Sequence, residues 1–361
     1  MMHAQQTRHQ TGAAGLDQIA KILDAAAAAE EVGYQDIAAS MGALRQAGWL
    51  NDDGAADPAL TALRLCRTGA SNLPVGRLWE GHMNALYLAR VHGDSAAVAK
   101  VNKLVVDGAI LGVWGADGKT PVVVAPDGAR LGGQKMFASG LGTVTHAVVT
   151  VASGPEVRLA LIDVRDAVRG DPSVWQMNGM RATASGRYDF EAVPTADVLW
   201  LGQSGDYLTE PHFVGGVWRI AALQVGAAMG LLQAAADTLR ARGRLDAPAQ
   251  MARLTEVGIR ALGAMAMTTV AAIAAAPGAC KCSEEAVTRS AASRLFTEDV
   301  GLDAIRATEQ CLGISHFEDG SDTGRKARDL SVYLRQAARD AFQTRVGHRM
   351  FGQEGAFWTL L

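Results

Sequence analysis

The sequence predicts a mainly α protein with a central antiparallel β-domain, and three observations carry that expectation. Residues 122–125, 147–152 and 158–164 are short apolar runs rich in Val, Leu and Ile, separated by Gly, Pro and Asp, which is the pattern of a β-meander. On both sides of them the chain turns Ala-rich, with apolar residues at helical spacing. At 361 residues it is long for a single core and suits two or three packed units.

The first unit is expected over residues 1–104 and is helical. Ile19, Ile22 and Leu23, then Ile37, Met41 and Leu44, recur at spacings of three to four. Asp52-Asp-Gly54 and Asp57-Pro58 mark a loop, and residues 69–74 read as another. Residues 75–86 then form a helix carrying Trp79, His82, Met83 and Leu86 on adjoining faces. The β-domain is expected over 105–206, with Pro126-Asp-Gly128 as a turn. Gly118-Lys-Thr120 is not a phosphate loop, because Val113 stands where the first glycine is needed and Pro121 follows instead of a helix. Gly140-Leu-Gly142 lacks the third glycine of a dinucleotide fingerprint. A helical bundle is expected over 207–361, with long helices over 215–242, 250–276 and 284–310 and a last one over 324–350, interrupted near 329–338. Gly226 and Gly230 would let a neighbouring helix approach closely.

Composition narrows the function classes. Apolar residues make up 49% and charged residues 20%, as in ordinary globular proteins. A net charge of −3 gives no electrostatic footprint for nucleic acid or an anionic membrane. The polar N-terminus has no apolar signal-peptide core, so a cytoplasmic protein is expected. Residues 261–276 are Ala-dominated, contain Thr268 and Thr269, and fall short of the ~20 residues of a membrane span; a buried bundle helix is expected there. Cys66, Cys280, Cys282 and Cys311 are too few for a disulfide framework. Cys280-Lys-Cys282 has the wrong spacing for zinc, so all four are expected to be reduced structural thiols. No His pair has ligand spacing, and neither a Gly-x-Ser-x-Gly nor a His-Glu-x-x-His string occurs.

Three strings carry a family resemblance. Gly133-Gln-Lys-Met-Phe-Ala-Ser139 resembles the "GxKxWIT/S" strand of the acyl-CoA dehydrogenase family. Gly179-Met-Arg-Ala-Thr-Ala-Ser185 with Asp189-Phe-Glu-Ala-Val-Pro194 is similar to its "GxRxTxS…FexVxVP" strand pair, and Gln310-Cys-Leu-Gly313 with Arg328-Asp329 to its "QxxGG…RD" helices. The strings occur in the family's order and span most of the chain. The resemblance implies three units (N-terminal helices, a β-barrel-like middle domain and a C-terminal four-helix bundle) and FAD as cofactor. It puts Phe137 and Ser139 against the flavin ring. The family's longer "TEPxxGSD" loop is replaced by Gly112-Val-Trp114, where Trp114 would stack on the ring instead. An Arg after the first bundle helix binds FAD pyrophosphate across a subunit interface in the family; Arg242 and Arg244 stand there, with Gln310 and Gly313 as further cofactor contacts. A homodimer or homotetramer follows from the same borrowing.

The implied activity is flavin-dependent oxidation of a CH–CH bond, on an acyl thioester as the small-molecule substrate. Such oxidation needs a base for the α-proton, typically contributing ~10²–10⁴ in rate. The family's base is a Glu in a "YEGT"-like loop, where this chain has Tyr333-Leu-Arg-Gln336, or a Glu on the first bundle helix, at a position falling near Arg219. Glu80, with His82 beside it, is therefore the first catalytic candidate, and Asp329 and Glu309 stand behind it. Two alternatives remain open: a flavin-dependent monooxygenase of the same fold, which needs no such Glu, and a flavin- or acyl-binding protein without turnover.

Overall fold

A computed structural model describes residues 2–279 and 283–360, so the expectation for Cys280 and Cys282 lies outside the described residues. Five helices open the chain: α1 (Met2–Glu31), α2 (Ala38–Gln46), α3 (Pro58–Ser71), α4 (Leu73–His92) and α5 (Ser95–Val106). Side-chain caps set three of the starts. Asp57 accepts from Leu60 N, Asn72 from Val75 N and Asp94 from Ala97 N, each satisfying a backbone donor that a helix start leaves free. The expected loop over 69–74 is almost absent. α3 runs through Ser71, Asn72 alone turns extended at φ −151°, and Pro74 sits in the first turn of α4, where its missing N–H costs nothing.

The β-domain holds β1 (Leu111–Trp114), β2 (Val123–Val124), β3 (Leu131–Gly132), β4 (Gln134–Ala138), β5 (His146–Ser153), β6 (Glu156–Asp163), β7 (Gly170–Asp171), β8 (Gly186–Asp189) and β9 (Leu199–Leu201). One sheet has the order β3-β2-β5-β6-β9 with β1 also on β5, and a smaller one has the order β4-β8-β7. β5 and β6 form a hairpin through Gly154, at φ 60°, and Pro155, a two-residue connection that suits the twist of antiparallel strands. The pairing is antiparallel except that β1 and β2 run parallel to β5, a detail the apolar runs do not encode. Successive residues of β5 face opposite sides: Val148 packs with Leu86, Val101 and Val105 of α4 and α5, while Ala147, Val149 and Val151 join the main core.

The last helices are α6 (Trp218–Ala241), α7 (Pro248–Ala274), α8 (Ser283–Leu312), α9 (Asp322–Tyr333) and α10 (Arg339–Phe351). α3 packs on α6 through glycine contacts. A Cβ on Gly226 would stand 2.0 Å from Cys66 O and one on Gly230 2.2 Å from Ala70 O. Ala338, at φ 65°, ends the break between α9 and α10. α7 departs from expectation: Ile259, Leu262, Val270 and Ile273 form an exposed apolar stripe instead of a fully buried helix.

Candidate functional site

Phe137 is one of four non-glycine residues of the described β-domain with a left-handed backbone, and it is the one that is a largely exposed aromatic. Between Lys135 and Ala138 the register of β4 on β8 slips by one residue, a β-bulge that re-aims a side chain. Phe137 sits there at φ 55° and is 55% exposed. A bulky residue in the left-handed region is strained and persists only where its surroundings impose it. The edge of Trp175 meets the ring at 6.3 Å and 81°.

Ser139, two residues on, ends a chain of hydroxyls. Ser185 Oγ donates to Ser139 Oγ at 3.1 Å, and Thr183 Oγ1 stands 2.8 Å from Ser185 Oγ and 2.7 Å from Met180 O. The Ser139 proton has only a long contact of its own, 3.4 Å to Phe137 O. Trp114 is buried rather than free to stack: its ring tilts against Tyr188 at 5.3 Å and its Nε1 donates to Ser139 O at 3.0 Å. The hydroxyl is thus anchored from its backbone and from its oxygen.

Ser139 and Trp114 line a narrow crevice with Val113, Val144 and, from α4, Arg77 and Gly81. A Cβ at Gly81 would come within 3.1 Å of Arg77 Nη1, so this glycine leaves the guanidinium its place. Arg77, Glu80, Asn84 and Tyr87 then follow at spacings of three and four, one stripe of α4. Arg77 Nη1 donates to Glu80 Oε2 at 3.0 Å, Arg219 Nε lies 3.6 Å from Glu80 Oε1, and Arg219 Nη2 donates to Asn84 Oδ1 at 2.6 Å. Each Glu80 oxygen therefore faces a guanidinium, which makes Glu80 an ion-pair strut between α4 and α6. Tyr333 is buried nearby, its ionisation opposed first by burial and then by Glu80, and its hydroxyl has no partner among the described residues.

The other catalytic candidate is structural. His82 is fully buried; Nε2 donates to Leu50 O at 2.7 Å and Nδ1 accepts from Leu111 N at 2.9 Å. The two bonds fix its tautomer, and burial lowers its pKa to about 4. Asp329 accepts from Met180 N at 2.5 Å, and burial raises its carboxyl to about 6; it ties α9 to the β-domain. Glu309 is half-buried on α8. Arg242, Arg244, Gln310 and Gly313 are exposed. Arg242 Nη1 donates to Ser315 Oγ at 2.9 Å, which holds Arg242 to the turn after Gly313 at one end of the bundle. None of these four lines the crevice. Among the described residues no group of His, Cys, Asp or Glu is arranged to hold a metal ion.

Helices, β-domain and bundle in this arrangement are the acyl-CoA dehydrogenase fold. No protein-family model matches the sequence, and no curated protein matches it. Solved structures do. Dibenzothiophene monooxygenase (TdsC) from Paenibacillus sp. A11-2 is 17% identical with a TM-score of 0.80, covering 95% of this chain and 97% of its own; it has also been solved with FMN. KijD3, in complex with FMN and a dTDP-sugar, is 18% identical with a TM-score of 0.78, covering 96% of this chain and 97% of its own. The 3-HSA hydroxylase from Rhodococcus sp. RHA1 is 19% identical with a TM-score of 0.76, covering 94% and 96% respectively. At these identities the likeness is one of fold.

Proposed function

We propose that the chain is a flavin-dependent oxidoreductase of the monooxygenase kind, not an acyl-CoA dehydrogenase. The observation that carries this reading is that, among the described residues, no carboxylate lines the crevice. Arg219 and the Tyr333–Gln336 segment occupy the positions where the resemblance calls for a carboxylate, and Glu80 is engaged by Arg77 and Arg219. The names of TdsC and the 3-HSA hydroxylase support the same choice.

The chemistry of the residues around this narrow crevice is what supports a flavin beside it. Phe137, two residues from Ser139 and outside the crevice lining itself, offers an exposed ring as a wall, Ser139 has only a long contact for its own proton, and Arg77 brings positive charge to the crevice that Ser139 lines. A reduced flavin bound there would supply two electrons to O2, one oxygen atom going to the substrate and the other leaving as water. Ser185 and Trp114 hold the Ser139 hydroxyl in place, while Val113, Val144 and Leu78 exclude water. The mononucleotide is the cofactor we propose, after TdsC and KijD3, in place of the FAD expected from the resemblance; chromatography of heat-released cofactor separates the two. In the functional test, anaerobic mixing with a panel of acyl-CoAs is expected to leave the flavin absorbance unchanged, while NADH-reduced flavin supports substrate-dependent oxygen uptake. Bleaching by an acyl-CoA would overturn the reading.

A further inference from the structure

The string Gly179 to Ser185 folds as a turn against Ser139. Met180 and Ala184 hold it in the left-handed region, at φ 54° and 41°, a strain that persists only where the surroundings impose it. Here they do. Met180 N donates to Asp329 Oδ1 at 2.5 Å, Gly140 N to Thr183 O at 2.7 Å and Leu141 N to Ala184 O at 3.2 Å. The turn is therefore tied to α9 and to the residues just after Ser139. Its Met180 carbonyl is a shared acceptor, facing Trp175 Nε1 at 3.3 Å, Thr183 N at 3.2 Å and Thr183 Oγ1 at 2.7 Å. Trp175 is also the ring whose edge meets Phe137. One carbonyl thus steadies the neighbour of the aromatic and stands at the start of the path to the hydroxyl.

Counting protons gives that path a direction. Thr183, Ser185 and Ser139 carry one hydroxyl proton each, and Thr183 and Ser185 are only 1% and 2% exposed. The Ser185 proton goes to Ser139 Oγ. The 2.8 Å contact between Thr183 and Ser185 must then use the Thr183 proton, while Met180 O keeps its two N–H donors. So aligned, the protons run from Thr183 to Ser185 to Ser139, and the Ser139 proton is the one left without a near acceptor. A hydroxyl that already accepts a hydrogen bond is polarised into a stronger donor. With nothing to accept at Ser139, the Thr183 proton has Met180 O to return to.

We propose that Thr183 and Ser185 are positioning residues for the cofactor: they form a relay that makes Ser139 a hydrogen-bond donor, so the ligand atom held at Ser139 is an acceptor. This rests on the flavin reading, and the test separates the two. FMN is titrated into the full chain by fluorescence quenching, for wild type, Ser139→Ala, Ser185→Ala and the double variant. Ser139→Ala is expected to weaken FMN about three- to tenfold, the worth of one hydrogen bond. Ser185→Ala should weaken it about threefold, although Ser185 does not line the crevice. Adding Ser185→Ala to Ser139→Ala should cost nothing more, because a relay does nothing once its end is gone. A merely structural Ser185 would add its loss in either background. Should Ser185→Ala fail to fold, Thr183→Val takes its place in the cycle, with Thr183→Ser expected to bind as wild type does. Losses that add, or an inner variant that binds FMN like wild type, overturn the relay and leave the flavin reading standing. A wild type that leaves FMN emission unquenched overturns both.

Discussion

Glu80 and His82 share a helix turn, and their surroundings give both of them structural work. Glu80 is 7% exposed between two arginines, and removing one partner of a buried ion pair costs roughly 3–5 kcal/mol. Glu80→Gln is therefore expected to lower the urea-unfolding free energy at pH 7 by about 3 kcal/mol. A mere catalytic base would lose activity at unchanged stability. His82 makes a pH prediction. Its folded pKa, about 4, lies below the ordinary 6.5 because of burial, so the unfolded chain takes up the proton first. Its stabilisation is complete above pH 6.5 and is lost as pH falls from 6.5 towards 4, by roughly 3 kcal/mol at most. Burial lowers His92, His146, His212 and His316 in the same direction. The check is thus the difference between wild type and His82→Gln, which keeps a donor and an acceptor without a titrating ring: the variant's stability should fall less between pH 7.5 and pH 5.

At the scale of elements, the glycines of the helices separate by what they touch. Gly226 lies against Cys66 O, where a Cβ would stand at 2.0 Å, whereas Gly263 on the exposed side of α7 has nothing within 4 Å. Gly226→Ala should lower the melting temperature by several degrees as α3 and α6 are forced apart. Gly263→Ala should raise stability by about 0.5–1 kcal/mol through helix propensity alone. The sequence made the first of these contacts legible, since a Gly226/Gly230 pair in an Ala-rich helix implies a close neighbour. Helix positions were legible too, because caps and apolar periodicity are local signals. Less so were the junction at Asn72, where a single capping residue replaces the expected loop, and the parallel pairing of β1 and β2 with β5. Both depend on contacts between distant segments. The stripe on α7 was misread because apolar composition does not say which face a neighbour covers.

For the molecule as a whole, the resemblance anticipated the fold because its three strings mark the middle of the β-domain, its later part and the far half of the bundle. Phe137 and Ser139 were singled out by the resemblance of one short string, which covers β4 (Gln134–Ala138) and ends just past it. The bulge that turns Phe137 outward was not, since it arises from the register of β4 on β8. The charge cluster escaped notice because its members come from helices far apart in sequence, Arg77 and Glu80 on α4 and Arg219 on α6. One signal was within reach: Arg77, Glu80, Asn84 and Tyr87 share a helical face, and an Arg where a carboxylate was expected asks for a partner on it.

Everything functional turns on Phe137 as the wall of a flavin site, and a fluorescence titration of the purified chain with FMN tests this most directly. Wild type is expected to quench the flavin emission saturably. Phe137→Ala, which removes a largely exposed ring and so should melt within a degree or two of wild type, is expected to bind about tenfold more weakly, as the loss of one aromatic contact implies. Quenching that is absent in wild type, or equal in the two proteins, would contradict the account.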